Sequence, residues 1–238
     1  MSDALIVGGS GAIGSALIQH YGALGYGVTA LSRKAAPPWA QGQGWLHWQS
    51  VDEQDSASLN AVLAQILAKT PDVVFLCQGW LHQDAMVPEK AISQLSDEHF
   101  QQSLAVNLLS PARYLQALMP YLFRQPEVKV LVLSAKVGSI TDNQLGGWYS
   151  YRASKAALNM LVKTASIELK RRNKTATIVT VHPGTTASEL SAPFQARVPA
   201  AQLQSPDSTA KRLAQVAARL QPEQTGLLLN WDGQPLPF

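Results

Sequence analysis

The sequence predicts an α/β fold with a doubly wound parallel sheet of about seven strands and helices on both faces. Short apolar runs alternate with longer helical patterns along all 238 residues, as they do in βαβ units. Several runs are almost continuously apolar, which is typical of strands covered on both faces. No repeat, linker or low-complexity stretch divides the chain, so residues 1–238 are interpreted as one domain.

Predicted strands and predicted helices alternate along the chain. Short runs rich in apolar residues are predicted as strands: Ala4–Val7, Val28–Leu31, Trp45–Trp48, Val73–Cys77, Val128–Leu133, Thr177–Val181 and Leu227–Asn230. Longer stretches with helical patterns lie between them: Ile13–Leu24, Ser56–Lys69, Asp97–Arg124, Tyr151–Arg172 and Pro206–Leu220. The stretch Pro37–Gly44 is interpreted as a surface loop. Thr185–Ser205 is irregular and follows a late strand, where an active-site lid is expected.

Composition excludes several classes of protein. Hydrophobic residues make up 46% and charged residues 15%, which indicates a globular chain. The net charge is only +3, and the one basic cluster, residues 170–174, is interpreted as a solvated helix end. No nucleic-acid partner is therefore expected. A single cysteine allows no internal disulfide, and the histidines show no metal-ligand spacing.

The N-terminal pattern bears on location. Residues 1–7 lack the charged region and long apolar run of a signal peptide, and no stretch of about 18 apolar residues follows. A soluble, cytoplasmic protein with no membrane partner is expected.

The most informative local motif directly follows the first predicted strand. It reads G-x-G-x-x-G at Gly9, Gly11 and Gly14, and it opens the first predicted helix. Such glycines allow a tight turn and close approach of the backbone to a pyrophosphate, which the helix N-terminus also attracts. A purely structural turn is the alternative. The position between a strand and a helix favours a Rossmann dinucleotide site, with the contiguous candidates Gly8, Gly9, Ser10, Gly11, Ala12, Ile13 and Gly14.

The residues after the second strand indicate which dinucleotide is preferred. An NAD site usually has an acidic residue here, whereas this chain has Ser32, Arg33 and Lys34. The two cations can pair with a 2′-phosphate, although they can also be ordinary loop cations. NADP(H) is therefore preferred, and NAD(H) is possible. Asp52, after the third strand, is placed either to reach an adenine amino group or to cap the next helix.

A tyrosine and a lysine four residues apart carry the predicted chemistry. Tyr151 and Lys155 share one face of a long predicted helix. An ammonium group near a phenol stabilises the phenolate and lowers its pKa. The pair can then exchange a proton with a carbonyl or alcohol oxygen while hydride moves to or from nicotinamide. By itself the spacing also fits a surface pair; the glycine loop makes it more specific.

Together these motifs resemble the short-chain dehydrogenase/reductase family over nearly the whole chain. The other landmarks are Cys77-Gln78-Gly79, Val106-Asn107-Leu108 and His182-Pro183-Gly184. The stretches 137–155 and 231–238 are similar to the C-factor branch, which includes sniffer-type carbonyl reductases. The family usually has glycine where this chain has Ala12, and the extra methyl is expected to crowd the helix start slightly.

The resemblance implies roles for these residues. Tyr151 is the general acid/base, Lys155 lowers its pKa and holds the nicotinamide ribose, and Asn107 interrupts its helix and keeps a water in the proton relay. The residues implied to border the cofactor beyond the glycine loop are Cys77, Gln78, Gly79, Pro183, Gly184, Thr186 and Ser188. The resemblance also implies a homodimer or homotetramer packed through the helices Asp97–Arg124 and Tyr151–Arg172.

One departure from the family pattern concerns the carbonyl-binding serine. The family places it second in Ser-Ser-x-x-Gly, where this chain has Ala135. Counting thirteen residues back from Tyr151 reaches Gly138 instead, so neither register supplies a serine. Losing such a donor typically costs about 10²–10³ in rate. Either Ser134 or Ser139 substitutes, or catalysis is impaired; Ser134 is expected to point away from Ala135 if the strand continues.

Two functions follow from this sequence. The first is an NAD(P)-dependent oxidoreductase that reduces an aldehyde, ketone or quinone, or oxidises an alcohol. The alternative is a dinucleotide-binding signalling or regulatory protein with weak or no turnover, because Ala135 replaces the serine. The substrate pocket is expected to be lined by residues 80–87, 145–149 and 185–205. Their aromatic residues favour an apolar or aromatic substrate, unless they belong to the core: Trp80, Trp148, Tyr149 and Phe194.

Overall fold

Eight strands form the main sheet in the part of the chain that the computed structural model describes, residues 2–84 and 86–238. The strands are β1 (Asp3–Val7), β2 (Gly27–Ser32), β3 (Leu46–Ser50), β4 (Val73–Leu76), β5 (Lys129–Leu133), β6 (Thr177–Val181), β9 (Leu228–Leu229) and β10 (Pro235–Leu236). Their spatial order is β10-β9-β6-β5-β4-β1-β2-β3. Every neighbouring pair is parallel except β9 and β10, so the predicted doubly wound parallel sheet is confirmed.

The sequence prediction lacked one strand of the main sheet. β10 is only two residues long and contains a proline, so it carries no alternating pattern that sequence reasoning could detect. It pairs with β9 antiparallel, as an edge strand where proline is tolerated. The small strands β7 (Thr185–Thr186) and β8 (Leu203–Gln204) form a separate pair within the predicted lid segment.

Helices cover both faces of the sheet. The helices are α1 (Ala12–Ala23), α2 (Ser56–Leu67), α3 (Asp97–Leu104), α4 (Ser110–Leu122), α5 (Tyr149–Arg172) and α6 (Pro206–Arg219). α1 and α6 pack on one face, while α2, α4 and α5 pack on the other. Short 3₁₀ turns occupy Pro38–Ala40, Ile92–Gln94, Lys136–Gly138, Ala192–Arg197 and Pro222–Gln224. No helix in the described ranges combines the length and apolarity that crossing a bilayer requires.

The predicted helix Asp97–Arg124 is not continuous. A π-helical turn at Ala105–Leu109 separates α3 from α4, and Asn107 is its central residue. The helix is thus interrupted at Asn107, while the part of this residue in a proton relay stays a prediction. A π turn inserts one extra residue into the helical repeat and is frequent at functional sites.

The parallel sheet gathers the predicted motifs at one edge. β1, β4, β5 and β6 run in the same direction, so the segments after their carboxyl ends lie together. The strand order reverses between β1 and β4, and ligands of open α/β sheets bind at such a switch point. Position 85, within the predicted lining segment 80–87, and Met1 lie outside the described residues.

Candidate active site

The glycine loop has the conformation that a phosphate site requires. Gly8 has φ +83°, and the N–H groups of Gly8 and Gly9 donate to Leu31 O at 2.9 and 3.1 Å. A Cβ on Gly14 would collide with the Gly8 carbonyl oxygen, so only glycine allows this contact between helix and loop. Gly11 provides no side-chain cap for α1. The first N–H groups of α1 are therefore available to an anion.

A cavity of about 370 Å³ extends from this loop to the end of β2. Its lining includes the predicted cofactor residues Gly8, Ser10, Gly11, Ser32, Arg33, Lys34, Cys77, Gln78 and Gly79. The side chains of Arg33 and Lys34 are exposed. Gly9, Ala12 and Gly14 are not in its lining. Gly9 and Gly14 instead allow close packing of the loop against its neighbours. This half of the cleft thus combines a phosphate loop with two cations.

Asp52 and its neighbour Glu53 are placed differently. Asp52 is exposed, and its Oδ1 accepts a hydrogen bond from the Gln54 N–H at 3.0 Å, which forms a local turn. Glu53 instead lines the cavity and accepts from Ser110 Oγ at 3.1 Å. The sequence analysis missed Glu53. Its position depends on the turn after β3, which no local pattern distinguishes.

A second cavity, of about 470 Å³, begins where the first one ends. Cys77, Gln78 and Gly79 line both cavities, so the two form one cleft across the edge of the sheet. Both amide atoms of Gln78 are buried and have no hydrogen-bond partner among the described residues. Buried polar atoms without a partner are rare and call for an explanation such as a bound ligand. Predicted cofactor residues on the far side are also in its lining: Ile13, Pro183, Gly184, Thr186 and Ser188.

Tyr151 and Lys155 lie next to each other in the second cavity. Tyr151 is 9% exposed and Lys155 is 2% exposed. The Lys155 ammonium donates to the Leu133 carbonyl at 3.0 Å and lies 5.9 Å from the centroid of the Tyr151 ring. The structure therefore brings the predicted pair together, with the lysine anchored to the end of β5.

The electrostatics of the pair differ from the sequence expectation. Burial raises the pKa of Tyr151 to about 12 and lowers the pKa of Lys155 to about 8. Lys155 was expected to lower the pKa of the phenol, whereas the shift caused by desolvation is in the opposite direction. At neutral pH Tyr151 therefore keeps its proton, while Lys155 remains largely charged.

Asn107 is fully buried and its side-chain amide is committed to the fold. Its Oδ1 accepts from the Trp80 N–H at 2.8 Å, and its Nδ2 donates to the Trp80 carbonyl at 2.8 Å and to Ser154 Oγ at 3.0 Å. Ser154 belongs to α5, one residue before Lys155. Asn107 thus ties the segment after β4 to the helix that carries the reactive pair. It does not line either cavity, and its role in a water relay stays a prediction.

The structure shows which of two positions, Ala135 or Gly138, corresponds to the serine that the family usually has. Ala135 lines the second cavity and packs in one cluster with Leu81 and Tyr151. A Cβ on Gly138 would lie 2.8 Å from the Lys155 Cβ, so no side chain fits at that position. The position that faces Tyr151 is therefore Ala135.

The neighbouring serines have other hydrogen bonds. Ser134 Oγ donates to Asn159 Oδ1 at 2.7 Å, one turn beyond Lys155 on α5. The Ser139 hydroxyl accepts from the Asp142 N–H at 3.0 Å. Ser134 contributes to the lining of the second cavity, whereas Ser139 does not. A catalytic role for Ser134 stays a prediction, and it would require the hydroxyl to leave Asn159.

The wall of the second cavity is largely apolar. Trp148 and Phe194 form part of it, with their ring centroids 4.9 Å apart. The other two predicted aromatic residues are not in its lining: Trp80 packs edge-to-face against His99 at 5.0 Å, and Tyr149 lies outside. The predicted lid contributes further apolar residues that the sequence analysis did not single out, among them Leu190 and Val198.

Trp148 occupies a special backbone position. It has φ +55° at the start of α5, directly after two glycines with positive φ. The Arg152 guanidinium donates to the carbonyls of Gly147, Val137 and Gly146 at 2.9, 3.2 and 3.1 Å. These bonds hold the turn that presents Trp148 to the cavity. In the sequence, only the adjacent glycines Gly146 and Gly147 indicate a turn here.

His182 is a polar residue in the wall of the second cavity, and the sequence analysis assigns no role to it. It follows β6. Burial, with a smaller contribution from Lys136, lowers the pKa of His182 to about 4, so its ring is neutral at pH 7. Among the described residues, no three His, Cys, Asp or Glu side chains form a cluster that could hold a metal ion.

Comparison with known proteins was consistent with this geometry. A family model described as short chain dehydrogenase matches residues 2–198. C-signal of Myxococcus xanthus is 33% identical over 136 residues, which are 57% of this chain and 76% of that protein. Carbonyl reductase Sniffer of D. melanogaster has a TM-score of 0.85 at 22% identity over 100% of both chains. An NADPH-bound carbonyl reductase from chicken fatty liver has a TM-score of 0.84 at 22% identity, over 100% of this chain and 99% of that chain.

These findings confirm the resemblance stated from the sequence. The family match covers most of the chain, and the likenesses to C-signal and to Sniffer agree with the C-factor and sniffer branch. The chain belongs to the short chain dehydrogenase family of oxidoreductases.

Proposed function

We propose that this protein is an NADP(H)-dependent oxidoreductase that reduces an apolar or aromatic carbonyl compound, with Tyr151 as the acid/base. An aldehyde, ketone or quinone is the substrate in this direction, and an alcohol is the substrate in reverse. One observation carries the proposal. Tyr151 and Lys155 are buried side by side in a largely apolar cavity that continues into the cavity of the glycine loop.

The residues of the cleft fit a dinucleotide. The uncapped start of α1 suits a diphosphate, and the unpartnered amide of Gln78 lies between the two halves of the cleft. Lys155 uses one of its three N–H donors on Leu133, which leaves two for the ribose next to the nicotinamide. Asp52 retains one carboxylate oxygen for an adenine amino group. The bound nicotinamide supplies the hydride in reduction and accepts it in oxidation.

The proton is the contribution of the protein itself. Reduction of a carbonyl requires a proton on its oxygen, and Tyr151 donates it. Because burial keeps the pKa of Tyr151 near 12, the phenol is in the acid form at neutral pH. The Lys155 ammonium next to the ring favours the phenolate that forms when the proton leaves. Ala135 beside Tyr151 offers no hydroxyl, so the carbonyl oxygen lacks one orienting donor.

NADP(H) is preferred because of the cations after β2. Arg33 and Lys34 line the first cavity, and neither side chain forms a hydrogen bond or ion pair within residues 2–84 and 86–238. Both are therefore available to a 2′-phosphate. Calorimetric titration should give tighter binding for NADPH than for NADH. Arg33→Asp should weaken NADPH roughly 10–100-fold, the range of a charge-assisted hydrogen bond, and NADH much less. Equal affinities in the unmodified protein would contradict this preference.

The proposed chemistry is tested by NADPH oxidation with a panel of aldehydes, ketones and quinones. Tyr151→Phe should abolish turnover and leave the NADPH dissociation constant nearly unchanged, because the hydroxyl acts on the substrate. Tyr149→Phe is the matched control, since Tyr149 lies on the same helix but outside the cavity. An active Tyr151→Phe variant would rule out the mechanism.

A second function is favoured by Ala135. A cleft that binds a dinucleotide but lacks the hydroxyl beside Tyr151 also suits a signalling or regulatory protein with weak turnover. The name of the relative C-signal points in the same direction. In that case the protein still binds NADPH more tightly than NADH, yet it reduces no carbonyl of the panel. Tyr151→Phe then has no measurable effect on NADPH oxidation.

A homodimer or homotetramer is proposed for the assembly. The outer face of α5 exposes Met160 and Ile167, which are 66% and 48% exposed. Apolar residues beyond the stripe that faces the core suggest a second packing partner. The substrate is a small molecule, and no nucleic-acid or membrane partner is proposed. A cytoplasmic location stays a prediction from the sequence.

A further inference from the structure

The loop that carries Arg33 and Lys34 is held by hydrogen bonds to the neighbouring strand β3 and to the end of β2. The Lys34 carbonyl accepts from the indole N–H of Trp48 at 3.1 Å and from Ser50 Oγ at 3.3 Å. The Lys34 N–H donates to Ser32 Oγ at 3.0 Å. Both backbone groups of Lys34 are therefore fixed, while its side chain and that of Arg33 remain exposed.

The same network reaches the glycine loop. Ser32 Oγ donates to Ser10 Oγ at 2.9 Å, which connects the end of β2 to the loop after β1. Trp48 also packs close to the glycine loop. A Cβ placed on Gly9 would lie only 3.4 Å from Trp48 Cη2. The indole ring is half-buried and packs edge-to-face on Trp39, with centroids 6.4 Å apart. One rigid side chain thus supports both the phosphate loop and the cationic loop.

We infer that Trp48, with Ser50, is a positioning residue for recognition of a 2′-phosphate. This inference rests on the proposed preference for NADP(H). Arg33 and Lys34 are long and flexible, so binding an anion must immobilise them, which costs binding energy. A backbone already fixed at Lys34 reduces what remains to be ordered. Trp48 acts through the Lys34 carbonyl and not through contact with the ligand.

The inference predicts a selective effect rather than a general one. NADPH and NADH differ only in the 2′-phosphate, so loss of the positioning bond should weaken NADPH and leave NADH almost unchanged. Trp48→Phe removes the indole N–H and keeps an aromatic ring. It should weaken NADPH about five-fold, the factor that one ordinary hydrogen bond supplies. Adding Ser50→Ala removes the second donor and should increase the loss to roughly 10–30-fold.

The test is calorimetric titration of the 238-residue protein with NADPH and NADH, and with adenosine 2′,5′-bisphosphate and adenosine 5′-monophosphate. The second pair isolates the phosphate in the absence of nicotinamide. Trp39→Phe is the matched control, because it replaces a tryptophan of the same cluster that gives no bond to Lys34. If Trp48→Phe does not fold, Ser50→Ala alone serves, since Ser50 is exposed and outside the core.

The outcomes separate this inference from the proposed function. A selective loss for NADPH and for the bisphosphate supports it. Equal losses for both members of each pair, or no loss, overturn it and leave the NADP(H) preference of the protein intact. If the unmodified protein binds NADPH and NADH equally well, the proposed preference for NADP(H) is wrong. The inference about Trp48 then fails with it, because there is no selectivity for the 2′-phosphate.

Discussion

Replacing Lys155 with methionine should stabilise the protein while it inactivates the enzyme. Lys155 is 2% exposed, and its ammonium has one hydrogen bond, to Leu133 O, and no carboxylate partner among the described residues. Burial lowers its pKa from 10.5 to about 8. A change of this size corresponds to roughly 3 kcal/mol against the charged form in the folded state. Methionine has a similar length and carries no charge.

The net effect is smaller because one hydrogen bond is lost. Leaving the Leu133 carbonyl without its donor costs about 1–2 kcal/mol. The free energy of unfolding at pH 7 should therefore rise by about 1–2 kcal/mol in Lys155→Met. The sign depends on pH. The folded state binds fewer protons than the unfolded state between pH 8 and 10.5, so the wild-type protein gains stability as pH rises through that window. The difference in free energy of unfolding between Lys155→Met and the wild type should therefore fall to about zero near pH 9.5.

Urea denaturation at pH 7.0 and 9.5, without dinucleotide, measures both values. Lys170→Met is the control: Lys170 is exposed in the last turn of the same helix, and its loss should change stability by less than about 1 kcal/mol. Carbonyl reduction by Lys155→Met should be lost under the same conditions. A variant less stable than the wild type at pH 7, or a difference that is the same at both pH values, would refute the reasoning about the buried charge.

Three further predictions concern the site and the assembly. Ala135→Ser should raise kcat by up to about 10²-fold in steady-state carbonyl reduction, because it restores a donor beside Tyr151; an unchanged rate would mean that another group already orients the carbonyl. Gly14→Ala should abolish NADPH binding by calorimetry, because its Cβ would collide with the glycine-loop backbone; retained affinity would show that the loop can shift. Light scattering at micromolar concentration should give a dimer or tetramer mass, which Met160→Asp with Ile167→Asp should reduce; a monomer mass for the unmodified protein would contradict the proposed assembly.

Local patterns in the sequence were enough for seven of the eight strands of the main sheet and for the order of the motifs. The strand Thr177–Val181 has the predicted bounds, because a short apolar run is decided by neighbouring residues. Tyr151 and Lys155 share a helix face because helical spacing alone places them there. The glycine loop lies between β1 and α1 for the same local reason.

The tertiary structure decided what depends on contacts between distant segments. The packing of Gly138 against Lys155 selects Ala135 as the position that faces Tyr151, a choice that counting residues left open. The turn after β3 brings Glu53 into the cavity and leaves Asp52 exposed. Burial under neighbouring elements also reverses the expected direction of the Tyr151 pKa. Spacing along the chain determines which side chains share an element, whereas desolvation and side-chain packing exist only after the elements meet.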